Sequence, residues 1–452
     1  MDRIPIHPIL TEISRFFTQN GHSVYLVGGA VRDITLGKKP DDWDIATDAT
    51  PEQVTAIFHR VIPTGIEHGT VTIPFRDHMI ECTTFRTEAG YSDGRRPDAV
   101  GYAATIEEDL SRRDFTMNAI AVSLPDGRVT DPFGGRDDIA RGVIRTVGVA
   151  SERFNEDGLR PIRAVRFSAQ LGFAIDEETL AAIPGALGVT ARVAKERIKD
   201  ELVKLLLSAT PSSGLRFMES AGLLELIIPE LYACRGVEQK GFHEFDVLDH
   251  LFAACDASPR ESLEVRLAAL FHDVGKPAVR ATDADGNFTF YNHETVSAEM
   301  TDKILTRLRF PLKTTATVTH LVRQHMFHYE PNWTDAAVRR FIVRAGEEHI
   351  PALFALRRAD ACAITGLKTE PAHLVEFGDR IMAVTAAKHA FSLKDLALNG
   401  KDLIALGIPA GPMTGVILKE LLETVLDDPA LNTRERLTEI AAAIFQARNV
   451  EH

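Results

Sequence analysis

Gly28-Gly29-Ala30-Val31-Arg32-Asp33 closes the apolar run Ser23-Val24-Tyr25-Leu26-Val27, and Asp41-Asp42-Trp43-Asp44 follows shortly after. A glycine pair at the end of such a run lets backbone N–H groups approach a triphosphate with no Cβ in the way. Asp42 and Asp44, at i and i+2 of an extended segment, point to one face, which is how two carboxylates come to share divalent cations. Cations held this way activate an attacking hydroxyl and neutralise charge on a transferring phosphate. Taken singly, the two elements read as a turn and a solvated acidic loop. Their close succession makes them a candidate nucleotide-transfer site. Downstream, Asp249-His250, His272-Asp273-Val274-Gly275-Lys276, Tyr291-Asn292-His293-Glu294, His325 and Asp360 mix imidazole with carboxylate. That donor set suits divalent transition metals, although each histidine alone describes an ordinary packed or exposed residue.

The elements that must position these groups divide the chain unevenly. From about 20 to 135, short β-rich runs alternate with turns: Val24 to Val27, Val71 to Pro74, Met79 to Thr84 and Ala119 to Leu124. A helix is expected from Pro51 to Phe58, with Thr50 as its cap and Pro51 at its first position. Beyond Gly142 helical periodicity takes over, as between Ala191 and Leu207, where apolar residues recur at three and four. Pro211-Ser212-Ser213-Gly214 and the stretch from Cys234 to Phe242 read as linkers, and Asp283 to Asn287 as a turn between short strands.

With 452 residues, 45% hydrophobic and 25% charged, the chain has the composition of a soluble protein of two to four domains. A net charge of −13 argues against a broad nucleic-acid-coating surface, though not against local basic tracks. Cys82, Cys234, Cys255 and Cys362 form no C-x-x-C pair, which fits a reducing compartment. The first residues lack the apolar core of a signal peptide and no apolar run approaches a membrane span, so a cytoplasmic protein with no membrane partner is expected.

The residues from Gly28 to Asp33, with Asp42 and Asp44, resemble the head of the polymerase-β-type nucleotidyltransferases, in the branch of class II CCA-adding enzymes and bacterial poly(A) polymerases. The resemblance continues in order through Pro63 to Thr72, Arg112-Arg113-Asp114-Phe115-Thr116-Met117-Asn118-Ala119, Asp131-Pro132-Phe133-Gly134-Gly135 and Glu156 to Phe167. It implies an α+β fold, a head with a mixed sheet followed by a mostly helical neck. It also implies that Asp42 and Asp44 hold Mg²⁺, with Glu81 as third carboxylate; a solvated strand residue is the plain alternative for Glu81. Gly28, Gly29 and Arg32 would hold the triphosphate, Arg113 would contact the nucleotide, and Asn118 would brace the sugar side. Arg112 and Arg113 could instead simply flank a structural Asp114.

Asp157 and Arg160 stand at i,i+3, so on a helix surface they can meet, one offering acceptors and the other a fork of donors. The resemblance makes them the template for cytosine or adenine, with Arg163 and Arg166 nearby on the same helix. Outside that context they read as an exposed ion pair. Pro161 cannot donate to a helix ladder, which implies an early-turn position or a kink. The polar, glycine-bearing stretch Arg86 to Asp98 looks like the flexible loop that enzymes adding the terminal A require.

The order His, His-Asp, Asp resembles the HD phosphohydrolases. This implies metal ligation by His250, His272, Asp273 and Asp360, with a transition metal such as Ni²⁺, Mn²⁺, Co²⁺ or Fe²⁺. His293 and His325 would serve a second ion or a substrate phosphate. The expected organisation is therefore a head over 1–140, a neck over 141–235, an HD domain over 236–366 and a helical tail over 367–452. The leading expectation is addition of C, C and A to tRNA from CTP and ATP, with phosphohydrolase activity of the HD domain. A poly(A) polymerase, an A-adding enzyme, or an HD hydrolase with a nucleotide-binding head are the alternatives. His68 to Val71 and the acidic balance favour the first.

Overall fold

The computed structural model describes residues 3–40, 42–66, 69–89, 99–239, 246–366, 372–387 and 391–450. Glu67, His68 and residues 90–98, which include most of the expected flexible loop, lie outside the described residues. The chain forms two compact units: Met1–Arg235 with Ile304–Pro311, and Gly236–Lys303 with Leu312–His452.

In the first unit, nine strands among the described residues precede the mostly helical part: β1 (Val24–Val27), β2 (Trp43–Thr47), β3 (Ile62–Gly65), β4 (Thr70–Phe75), β5 (His78–Thr84), β6 (Arg86–Ala89), β7 (Ala99–Tyr102), β8 (Ala121–Ser123) and β9 (Val129–Thr130). Seven of them build a mixed sheet in the order β3-β4-β5-β2-β1-β8-β9. β2 runs antiparallel to β1 and parallel to β5, so it lies in the sheet interior and is bonded on both edges. Val27, Ala46, Phe85, Ala119 and Ala121 pack with Ile106 and Leu110 of the helix Ile106–Ser111 to form a core behind β1 and β2. Thr50 caps the helix Pro51–Ile57 through a capping box with Gln53, as its sequence predicts. Arg86–Ala89, expected as the start of a loop, is instead paired with Ala99–Tyr102.

Past residue 142 the first unit is mostly helical, with a short parallel strand pair, Val143–Ile144 with Ala174–Ile175. The helix Arg160–Leu171 packs on Lys195–Leu206 and on Pro211–Ser220. The last of these corrects the expected linker at 211–214. Pro211 occupies the first turn, where a missing N–H costs nothing, and Gly214, Leu215 and Met218 form a buried face. A Cβ on Gly214 would stand 3.0 Å from both Ala169 and Leu205, so the glycine serves helix packing rather than a loop. Five of the described helices carry the metal-type residues or end immediately before them: Val247–Ala257, Leu263–Phe271, His293–Arg307, Leu312–Gln324 and Ile350–Thr365. Ala281–Thr282 and Phe288–Thr289 pair as the two expected short strands around the 283–287 turn. Among the described residues, no helix is long and apolar enough to cross a membrane.

Candidate active site and metal centre

β1 delivers the chain to Gly28, whose φ of 69° and ψ of −138° open the helix Gly29–Thr35. A left-handed φ suits glycine, and space demands it as well. A Cβ there would lie 3.2 Å from Arg113 Nη1 and 3.6 Å from Asp44 Oδ2. The glycine turn, Arg113 and Asp44 therefore converge. On the neighbouring strand Asp44 stands directly opposite Glu81, and in parallel register the two side chains share a face. Asp42 is exposed on the bend leading into β2. Burial, then Glu81 and Asp42, push the Asp44 carboxyl up to about 6, against the opposing pull of Arg113. Three carboxylates that repel one another in this way are a donor set that a hard divalent cation relieves.

The basic groups are braced from behind. Asp109, fully buried on the helix Ile106–Ser111, accepts from Arg112 Nη2 at 2.7 Å and from Arg113 Nη2 at 3.1 Å. Sequence reasoning missed Asp109, although its i,i+3 and i,i+4 spacing to the two arginines was a usable signal. Arg32 donates through Nε and Nη2 to Asp33 and through Nη1 to Asn118 Oδ1 at 3.0 Å. The other end of the Asn118 amide donates to Asp114 Oδ1 at 3.1 Å. Asn118 thus links Arg32 to Asp114 through the two ends of its amide.

Asp157 and Arg160 do not pair, and their expected meeting on one helix face is not what forms. Asp157 ends the helix Ala150–Glu156 and Arg160 begins the next, with Pro161 in its first turn. The turn between them lies against residues 189 and 190, so that a Cβ on Gly158 would meet backbone atoms at 2.7 Å. Asp157 pairs with Arg197 at 3.0 Å. Arg160, 7% exposed, donates to Glu156 Oε2 at 2.6 Å and to the carbonyls of Arg153 and Arg112 at 2.9 and 3.0 Å. Glu156 is a second residue that sequence reasoning passed over. Arg163 reaches Asp114 at 2.5 Å. Arg166 reaches Glu201 at 2.7 Å and Gln170 at 2.6 Å, and burial pushes it down to about 10. Arg163 also lies 3.8 Å from Glu201, and the guanidiniums of Arg32, Arg163 and Arg166 stand 5.2, 5.4 and 3.6 Å from the centroid of the Phe167 ring, so Arg166 stays beside these other candidates.

In the second unit His250, His272, Asp273, His293, His325 and Asp360 come together, all buried. His250 Nε2 is 3.1 Å from His272 Nε2 and 3.2 Å from Asp360 Oδ1. The Nδ1 atoms of His272, His293 and His325 lie 2.8, 2.8 and 2.7 Å from the carbonyls of Ala269, Phe290 and Val322. A carbonyl only accepts, so each Nδ1 carries a proton and Nε2 is the ring nitrogen left to face the centre, where a cation would take the place of any proton it holds. Burial opposes a charge on His272, yet Asp273 and Asp360 push it up to about 10; burial and that neighbouring charge push His325 down to about 3. A pocket that stabilises an imidazolium in this way also suits a metal cation. Gly275 lets the His272 loop approach the helix His293–Arg307, where its N–H donates to Ser297 Oγ at 2.9 Å.

Three stretches match family models: residues 24–145 the poly A polymerase head domain, 172–234 the probable RNA and SrmB-binding site of polymerase A, and 243–365 the HD domain. The CCA-adding enzyme of Lactiplantibacillus plantarum is 35% identical over 438 residues, covering 95% of this chain and 94% of that one. The CCA-adding enzyme of Geobacillus thermodenitrificans is 34% identical over 431 residues, covering 94% of each. Among solved structures, the CCA-adding enzyme of Bacillus stearothermophilus in complex with CTP is 30% identical, with a TM-score of 0.74 over 99% of this chain and 100% of that one. The Thermotoga maritima CCA-adding enzyme complexed with tRNA shares the fold at 21% identity and a TM-score of 0.57 over 97% and 96% of the two chains. By its ordered motifs, its sheet, its paired carboxylates and this length of agreement, the chain belongs to the CCA-adding enzyme family.

Proposed function

We propose that this protein adds C, C and A to the 3′ end of tRNA from CTP and ATP in the cytoplasm, at the site where Asp44 faces Glu81 beside Gly28 and Arg113. The tRNA 3′ hydroxyl attacks the α-phosphate, and pyrophosphate leaves. Asp42 and Asp44, with Glu81, hold Mg²⁺, which when bound activates the hydroxyl and neutralises the triphosphate. Gly28 and Gly29 offer a backbone surface without side chains, and Arg32 and Arg113 add charge-assisted hydrogen bonds to the phosphates. Asn118 positions Arg32, and Asp109 positions Arg113. Asp157 and Arg160 read the base edge; Glu156 and two backbone carbonyls hold the Arg160 fork in place. Arg163 fixes this helix to Asp114, while Arg166 ties it to Glu201. His250, His272, Asp273 and Asp360 hold a transition metal such as Ni²⁺, Mn²⁺, Co²⁺ or Fe²⁺ and serve a phosphohydrolase.

The observation that carries the transfer reading is the convergence of Asp44, Glu81, Gly28 and Arg113. Incubating tRNA that lacks its last three nucleotides with CTP, ATP or both, and sizing the products, tests it. Growth by three nucleotides with both substrates, and by two with CTP alone, is expected. A long adenosine tail would instead make the protein a poly(A) polymerase, and no growth would remove the transferase reading.

A further inference from the structure

The Phe167 ring, 4% exposed, is the one contact that Arg32, Arg163 and Arg166 have in common, at 5.2, 5.4 and 3.6 Å from its centroid. Phe115 meets the same ring in a T-shaped contact at 5.8 Å. Arg163 and Arg166 belong to the helix that carries Phe167, Arg160–Leu171, whereas Arg32 comes to it from the helix Gly29–Thr35 of the head. We propose that Phe167 is a positioning residue for nucleotide transfer, its ring setting the orientation in which the Arg32 guanidinium meets the triphosphate. The proposal rests on the reading of Arg32 as a phosphate ligand, and adds to it the group that aims that ligand.

Each guanidinium has its own anion: Asp33 for Arg32, Asp114 for Arg163 and Glu201 for Arg166. The anion of Arg32 holds it least firmly. Arg32 Nε and Nη2 both donate to Asp33 Oδ1, at 2.9 and 2.8 Å, and two bonds that end on a single oxygen make a pivot where a two-oxygen fork would make a clamp. Nη1 adds a second point on Asn118 Oδ1 at 3.0 Å. These bonds use three of the five N–H groups and leave one on each Nη for a ligand. Nη2 lies 3.5 Å from the place that a Cβ on Gly29 would take, so the guanidinium runs beside the glycine turn that cradles the triphosphate. A tilt about the pivot would carry both remaining N–H groups away from that turn. The ring supplies the third point of support, because a guanidinium within about 6 Å of an aromatic centroid is attracted by the ring quadrupole. A leucine at this position would keep much of the packing and offer no such field. The ring therefore joins the helix that bears Arg160 to the arginine that meets the phosphates.

The test replaces Phe167 in the full chain with mono-, di- and trifluorinated phenylalanine, which keep the shape of the ring and withdraw electron density from its face in steps. Dissociation constants for CTP, ATP and inorganic pyrophosphate are measured with Mg²⁺, beside unfolding in urea. Affinity for all three should fall together as fluorines are added, by about three- to tenfold over the series, because Arg32 touches phosphate and not base. Phe167→Leu should lose at least as much as the trifluorinated ring. On an Arg32→Ala background the same series should leave the affinities flat, since the group that the ring aims is gone. Constant affinities across the series in the native background overturn the proposal, whatever happens to stability, and reduce the ring to packing. A fluorine dependence that persists in Arg32→Ala overturns it too, as does one seen with a nucleotide and not with pyrophosphate, which would move the effect to the base. Arg32→Ala tests the underlying reading separately. Native affinity for pyrophosphate in that variant removes Arg32 as a phosphate ligand and the proposal with it, while weakened affinity there with a flat fluorine series in the native background removes the proposal alone. The fluorinated rings decide the matter if Phe167→Leu fails to fold.

Discussion

At the residue scale, the arrangement of Asp42, Asp44 and Glu81 leaves little redundancy. Asp44→Ala or Asp42→Ala is expected to abolish tRNA extension, because losing one cation-binding carboxylate costs several kcal/mol of transition-state stabilisation. Single-turnover extension with labelled CTP measures it, and near-native turnover in either variant would refute their role. The base reader makes a subtler prediction. Arg160→Ala should relax the choice among CTP, ATP, UTP and GTP by about 1–3 kcal/mol, the scale of one lost bidentate contact. Glu156→Gln should move selectivity in the same direction by less, since Glu156 acts on the base only through Arg160 at 2.6 Å. Competition between nucleotides reads both. A fall in overall rate with selectivity intact would show that this pair does not read the base. The spacing points to Asp157 as the partner of Arg160 and passes over Glu156, which stands at i,i+4 on the other side of Asp157. The turn at Gly158 between the two helices hands the arginine to Glu156 and leaves Asp157 to Arg197.

At the element scale, the helix Arg160–Leu171 is tied to the head by Arg160 on the Arg112 carbonyl and by Arg163 on Asp114. Burial alone would raise the Asp114 carboxyl, but Arg163 and Asn118 bring it down to about 2. A carboxyl depressed in the folded state adds stability that is present above its unfolded value and is lost as pH falls toward the folded one. The contribution is about 2 kcal/mol in full, with roughly half gone by pH 3. Asp114→Asn removes the ionisation, so the gap in urea stability between native protein and variant should shrink between pH 5 and pH 3. A gap that stays constant over that window would mean that Asp114 does not carry its charge in this pairing. Elements with strong local signals, such as the Thr50-capped helix, could be read from the sequence. Pro211–Ser220 could not, because its first four residues favour a turn and only the burial of Leu215 and Met218 makes the segment a helix.

At the scale of the molecule, the two centres lie in different compact units and use different donors. Asp42, Asp44 and Glu81 offer oxygen alone, which suits Mg²⁺; the histidine-rich centre suits a transition metal. A His272→Ala, Asp273→Ala double variant should lose bound transition metal and any phosphatase activity while extending tRNA at the native rate with Mg²⁺. Metal analysis beside the extension assay checks both halves. Failure of extension in a folded variant, or retention of metal at the native level, would contradict the separation.

The sequence alone determined what rests on local order: a glycine pair after an apolar run, carboxylates at i and i+2, caps and turns, and the succession of His, His-Asp and Asp. Each is set by neighbours within a few residues, where chain geometry leaves few choices. Tertiary structure decided the partners. Asp157 finds Arg197, Arg166 finds Glu201, and Arg163 finds Asp114, each across 35 residues or more. Such choices depend on how helices approach one another, which follows from packing the whole apolar face and not from any one spacing. The same holds for the register that sets Asp44 opposite Glu81, and for the fold of five helices that turns the two oxygens of Asp273 toward separate pairs of histidines.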